Sequence, residues 1–105
     1  MTMKRIVGPA QLTAAAATQY TVPAGIRAVI KRIHFLNTDV AARTVTFSIG
    51  ADAAGTRLYQ TQSIAAGGVF DDYANYPLEA AEIIQANADV TLKVNITVSA
   101  DLTAT

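Results

Sequence analysis

In Val90-Thr91-Leu92-Lys93-Val94-Asn95-Ile96-Thr97-Val98, apolar and polar residues alternate without a break. The same alternation runs through Arg43–Gly50, where Val45, Phe47 and Ile49 share one parity and Thr44, Thr46 and Ser48 the other. Successive side chains of a strand point to opposite faces, so a period of two marks a strand with one wet and one dry face. That pattern belongs to antiparallel sheets packed on a single core. It predicts that Phe47 lies in the core.

The longest apolar stretch, Ile26 to Asn37, alternates less cleanly. Ala28 and Ile30 share one parity, and Ile33 and Phe35 share the other. A β-bulge at Lys31-Arg32 accounts for the change of phase, because one extra residue flips every later side chain. A strand buried on both faces is the rival explanation.

Gly, Pro, Asn and Asp punctuate the chain at Pro23-Ala24-Gly25, Asn37-Thr38-Asp39, Gly50-Ala51-Asp52, Gly67-Gly68 and Tyr76-Pro77. They delimit about eight short strands, near 4–8, 18–22, 26–37, 43–50, 57–64, 68–73, 82–86 and 90–99. So many short strands at this spacing predict an all-β, antiparallel β-sandwich, jelly-roll-like or Ig-like. Ala65-Ala66-Gly67-Gly68 reads as a hairpin turn that needs positive φ. Two segments, 10–18 and 78–89, have some helical character, and a helical turn near 79–82 is the alternative there.

With 105 residues, the chain suits a single domain over 1–105. Residues 1–17 read as an extended N-terminal strap. Gly8, Pro9, Gln11 and Thr13 interrupt the apolar run that a signal peptide requires. No apolar run approaches the ~18 residues of a membrane-crossing helix.

Eight basic and eight acidic residues cancel. Without a basic stripe, the chain does not read as a nucleic-acid binder. There is no cysteine, hence no disulfide and no thiolate nucleophile. Of the apolar residues, 21 are alanines, whose small surface packs against a neighbour at little entropic cost.

Catalytic candidates are few. His34 is the lone histidine and has no acidic residue near it in sequence, so it reads as a histidine on a sheet face rather than a metal ligand or base. Asp71 and Asp72 form the lone carboxylate doublet. Neighbours in a strand face opposite ways, so the doublet makes a poor acid–base pair and reads as a solvated strand end. A meeting of Asp72 with Glu79 or Glu82 in space is left open. No Gly-x-Ser-x-Gly elbow, phosphate loop or calcium loop is present. Tyr73 and Tyr76 bracket a segment able to carry a sugar-stacking platform, and their plain alternative is a buried ring with a bonded hydroxyl. No catalytic, cofactor or metal residue is assigned, interface residues are left open, and the chain reads as a non-enzyme.

The stretch YTVPAGIRAVIKRIHFLNTD followed by ARTVTFSIGADAAGTRLY resembles a family of small virion proteins of tailed bacteriophages. The matching features are Tyr20 to Gly25, Asn37-Thr38, Arg43 to Gly50, Gly55 to Leu58 and Leu78 to Ile84. Together they span about residues 18–99. The resemblance implies a β-sandwich structural protein, chiefly a capsid decoration (cement) protein on the major capsid protein. A minor tail or head–tail connector part is the near variant; a carbohydrate-binding host-adhesion module, which rests on Tyr73 and Tyr76 rather than on the resemblance, is the less favoured alternative. The resemblance implies a homo-oligomer, with a trimer favoured, on the virion surface, and the C-terminal Ala100–Thr105 or the strap reaching a neighbour. It carries over no cofactor and no catalytic residue.

Overall fold

The structure, a computed structural model, describes residues 2–105. Met1, the first residue of the expected strap, lies outside the described residues. Eight strands follow one another: β1 (Thr2–Gln11), β2 (Ala17–Thr21), β3 (Ile26–Asn37), β4 (Arg43–Ile49), β5 (Arg57–Ile64), β6 (Val69–Leu78), β7 (Ile83–Ala88) and β8 (Val94–Ala104). They form two four-stranded antiparallel sheets, ordered β1-β8-β3-β6 and β2-β7-β4-β5.

This order decides between the two expected sandwiches. β1 pairs with β8, β2 with β7, β3 with β6 and β4 with β5. The chain is thus one long hairpin that doubles back at 50–56. It is then rolled so that β8 also meets β3, and β7 also meets β4. That is a jelly roll rather than an immunoglobulin arrangement.

The inner faces of both sheets supply the core. Phe35 and Phe47 are fully buried and meet edge to face, with ring centroids 6.3 Å apart at 83°. Ile33, Ile96 and Val98 from the first sheet and Val45, Ile84 and Ala86 from the second close the layer around them. Burial of each Phe side chain contributes about 1.5–3 kcal/mol.

The phase change in β3 is a bulge. The register shifts between Ile30 and Arg32 against both neighbouring strands. Ala28 and Ile30 point inward before it, and Ile33, Phe35 and Asn37 after it. Against β8, Lys31 is the extra residue, whereas against β6 the extra residue is on β6, where Ala74 and Asn75 stand opposite Lys31. The shift turns Arg32 and His34 outward while Ile33 and Phe35 stay in the core.

Other expectations change. Val90 and Leu92 continue the alternation of β8 but lie in the turn before it, and Leu92 has φ 64 and is exposed. The strand instead runs on to Ala104, paired with β1 and β3. Most of the C-terminal segment expected to reach a neighbour is therefore part of a sheet. Ala65–Gly68 is a turn with Gly67 at φ 66 and a Gly68 N–H to Ala65 carbonyl bond of 2.8 Å. It links strands of different sheets, so it is a corner and not a hairpin. Residues 79–82 form a β-turn with Ala81 at φ 72, without a helical turn. The segment read as a strap holds β1, hydrogen-bonded along β8.

Candidate functional site

The bulge in β3 assembles a polar group on the outer face of the β1-β8-β3-β6 sheet. Arg32 and His34 project there from β3, and Asp71 stands opposite His34 on β6. Arg32 Nε donates to Asp71 Oδ1 at 3.0 Å, and Arg32 Nη2 lies 2.9 Å from the same oxygen. His34 Nδ1 is 2.6 Å from it. Burial alone raises the Asp71 carboxyl, but the hydrogen bonds and charges of His34 and Arg32 outweigh it and hold the group below the usual carboxylate range. Hydrogen bonding to Asp71 correspondingly raises Arg32. The Arg32 guanidinium also lies 5.3 Å from the ring centroid of Tyr73, a cation–π distance. On the bulge itself, Lys31 Nζ donates to Asn75 Oδ1 at 2.6 Å and lies 3.9 Å from Asp101.

Asp72 has the opposite orientation and a different task. It opposes the buried Ile33 and faces the gap between the sheets at the β5–β6 edge. Its Oδ2 accepts hydrogen bonds from Tyr59 on β5 and, at 2.8 Å, from Tyr76 on β6. Burial, then the bond to Asp72, pushes the Tyr59 hydroxyl well above its ordinary value. For Tyr76 the bond to Asp72 comes first and burial second. The Tyr59 ring packs against Phe35, Phe47 and Phe70. Asp72 is thus a cross-sheet latch.

The doublet is therefore split as strand geometry requires, but neither half is a solvated strand end. Asp72 does not meet Glu79 or Glu82. Glu79 pairs with Arg27 at 2.8 Å, and Glu82 accepts the Glu79 N–H. His34 sits on a sheet face, as expected, with Asp71 as a partner from a distant strand. Tyr73 is 69% exposed, whereas Tyr76 is half-buried with its hydroxyl bonded. The sugar-platform pair is thus divided between the two readings weighed for it. Tyr59, a tyrosine of the same kind, has the plain reading of a packed ring and a bonded hydroxyl, but nothing in the sequence marks its partner on another sheet.

The remaining carboxylates follow the same rule. Asp52 meets Arg57 at 2.9 Å, Asp39 meets Arg43 at 2.7 Å, and Asp89 lies 3.8 Å from Arg43. A bond from Arg57 lowers the Asp52 carboxyl, and a bond from Arg43 lowers that of Asp39. All eight acidic side chains of the chain have a donor or cation of the same chain beside them. Among the described residues, no group of three potential metal ligands gathers, and no cavity opens.

The fold and this face define an eight-stranded jelly-roll module whose acidic side chains all have partners within the chain. No protein-family model and no curated protein matches the chain. A solved Bacillus protein is similar in fold, from work whose subject is endospore appendages that form a family of disulfide-linked pili. The match has a TM-score of 0.55 and 15% identity, and covers 98% of this chain and 87% of that one. At that identity the likeness speaks for the fold alone.

Proposed function

We propose that the chain is a structural subunit that works by assembling with other proteins. In its specific form, it is a bacteriophage capsid decoration (cement) protein that packs on the major capsid protein as a homo-oligomer. The observation that carries the general reading is the internal pairing of every carboxylate. These groups join strands, turns and the two sheets, which is the work of a structural part. The jelly-roll topology supports the same reading, since capsid domains commonly use it. So does the fold shared with a pilus protein. That protein's pili are disulfide-linked, and this chain has no cysteine, so its own contacts are non-covalent with respect to thiols. The virion assignment rests on the resemblance carried by Tyr20–Gly25, Asn37-Thr38 and Leu78–Ile84. A minor tail or head–tail connector part is the alternative.

Immunogold labelling of purified virions tests this. Gold over the capsid shell supports decoration, and gold confined to the tail favours the alternative. Unlabelled particles contradict the virion reading.

A further inference from the structure

We propose that the outer face of the β1-β8-β3-β6 sheet binds an acidic oligosaccharide laid across the strands. Tyr73 stacks on a sugar ring, and Arg5 and Arg32 hold the anionic groups. The argument starts from register. Arg5 on β1 opposes Ser99 on β8, Ser99 opposes Arg32 on β3, and Arg32 opposes Tyr73 on β6. Val98 and Ala100 are buried, so Ser99 and the residues in its row face outward. One row therefore reads cation, hydroxyl, cation, aromatic. With strands about 4.8 Å apart, it spans roughly 14 Å.

Each member has capacity left. Arg5 is exposed and makes no ion pair among the described residues. Arg32 spends Nε and Nη2 on Asp71 and His34, which fixes the plane of its guanidinium and leaves Nη1 uncommitted. A guanidinium held in this way loses little freedom when it binds an anion. Tyr73 is 69% exposed although it lies within a strand, and the Arg32 guanidinium lies over its ring, 5.3 Å from the centroid. Around the row, Arg5, Lys31 and Arg32 face Asp71 and Asp101, three cations against two carboxylates. The face is thus locally positive on a chain whose net charge is zero. Cations alone would suit any polyanion. An open, oriented aromatic ring at the end of the row favours a sugar over an acidic peptide, because its flat face complements the C–H face of a pyranose.

The site does not depend on the assembly role proposed above. Nitrogen-15-labelled full chain is titrated separately with a heparin-derived hexasaccharide, hexagalacturonate, neutral maltohexaose and hexaglutamate. Amide shifts centred on Arg5, Ser99, Arg32 and Tyr73 with at least one acidic sugar, and weaker ones with maltohexaose and hexaglutamate, are expected. Arg5→Ala and Tyr73→Ala each weaken that binding about tenfold. Tyr73→Phe retains it, and Arg27→Ala, remote from the row, leaves it unchanged. Thermal melts confirm that the variants fold. An equal response to hexaglutamate overturns the proposal in favour of an acidic-protein face. An equal response to maltohexaose, shifts centred elsewhere, no shifts with either acidic sugar, or unchanged binding by Tyr73→Ala also overturns it.

Discussion

The Tyr59 hydroxyl of one sheet donates to the Asp72 carboxylate of the other and closes the sandwich along its β5–β6 edge. Tyr76 donates to the same oxygen from within the sheet of Asp72. Removing the Tyr59 hydroxyl while keeping its ring isolates the latch. Tyr59→Phe is expected to cost about 1–2 kcal/mol, a charge-assisted hydrogen bond in a half-buried site. Urea denaturation measures this as a lower midpoint at unchanged slope. An unchanged midpoint removes the latch from the account.

Phe47 tests the core. It is fully buried among Phe35, Tyr59 and their neighbours. Phe47→Ala is expected to cost about 3–5 kcal/mol through lost burial and the cavity left behind. Since a domain has about 5–15 kcal/mol in total, the variant should melt far below wild type. A variant that melts like wild type contradicts the position given to Phe47.

Asn37 is a buried polar residue that ties three segments together. Its Nδ2 donates to the carbonyls of Ala41, Ile64 and Ala65 at 2.9, 3.1 and 3.2 Å, and its Oδ1 accepts the Asp39 N–H at 2.9 Å. Asn37→Ala takes the side-chain donor from the Ala41 and Ile64 carbonyls, while Ala65 keeps the Gly68 N–H, at a cost of about 1–3 kcal/mol. Asn37→Asp should be worse, since it sets a carboxylate against those carbonyls. Chemical denaturation of the two variants checks the order. A milder effect for Asn37→Asp than for Asn37→Ala would contradict this role.

Stability should fall at both ends of the pH scale. The Asp39, Asp52 and Asp71 carboxyls are held below their unfolded values. Their contribution is complete above the unfolded carboxylate value of about 4 and is lost as pH falls through the lower folded values. Tyr59 and Tyr76 are raised above their unfolded value. Their contribution is complete below about pH 10 and is lost as pH rises beyond it. Urea midpoints measured across pH should therefore form a plateau between these limits. Asp39→Asn with Asp52→Asn should shallow the acid limb, and Tyr59→Phe the alkaline one. A flat profile through both limits would contradict these pairings.

Local pattern carried much of the fold. The parity change between Ile30 and Ile33 marked the bulge, because burial on one face forces the register and leaves its trace in the residues. The same rule misled at Val90 and Leu92, where alternation continues into a turn whose positive φ at Leu92 no pattern encodes. Turn chemistry located Gly67 but not the sheet change it serves, since a corner and a hairpin use the same residues. The polar network was less legible. Arg32 and Asp71 are far apart in sequence, as are Tyr59 and Asp72, and they meet only once the long hairpin is rolled into two sheets.

The central claim is that the chain is a structural subunit present in many copies on a particle. Densitometry of purified virions, with this chain measured against the major capsid protein, tests it most directly. The account predicts hundreds of copies per particle. About six or twelve, the numbers expected of a symmetric tail or connector ring, would contradict decoration, and a chain absent from virions would contradict the virion role altogether.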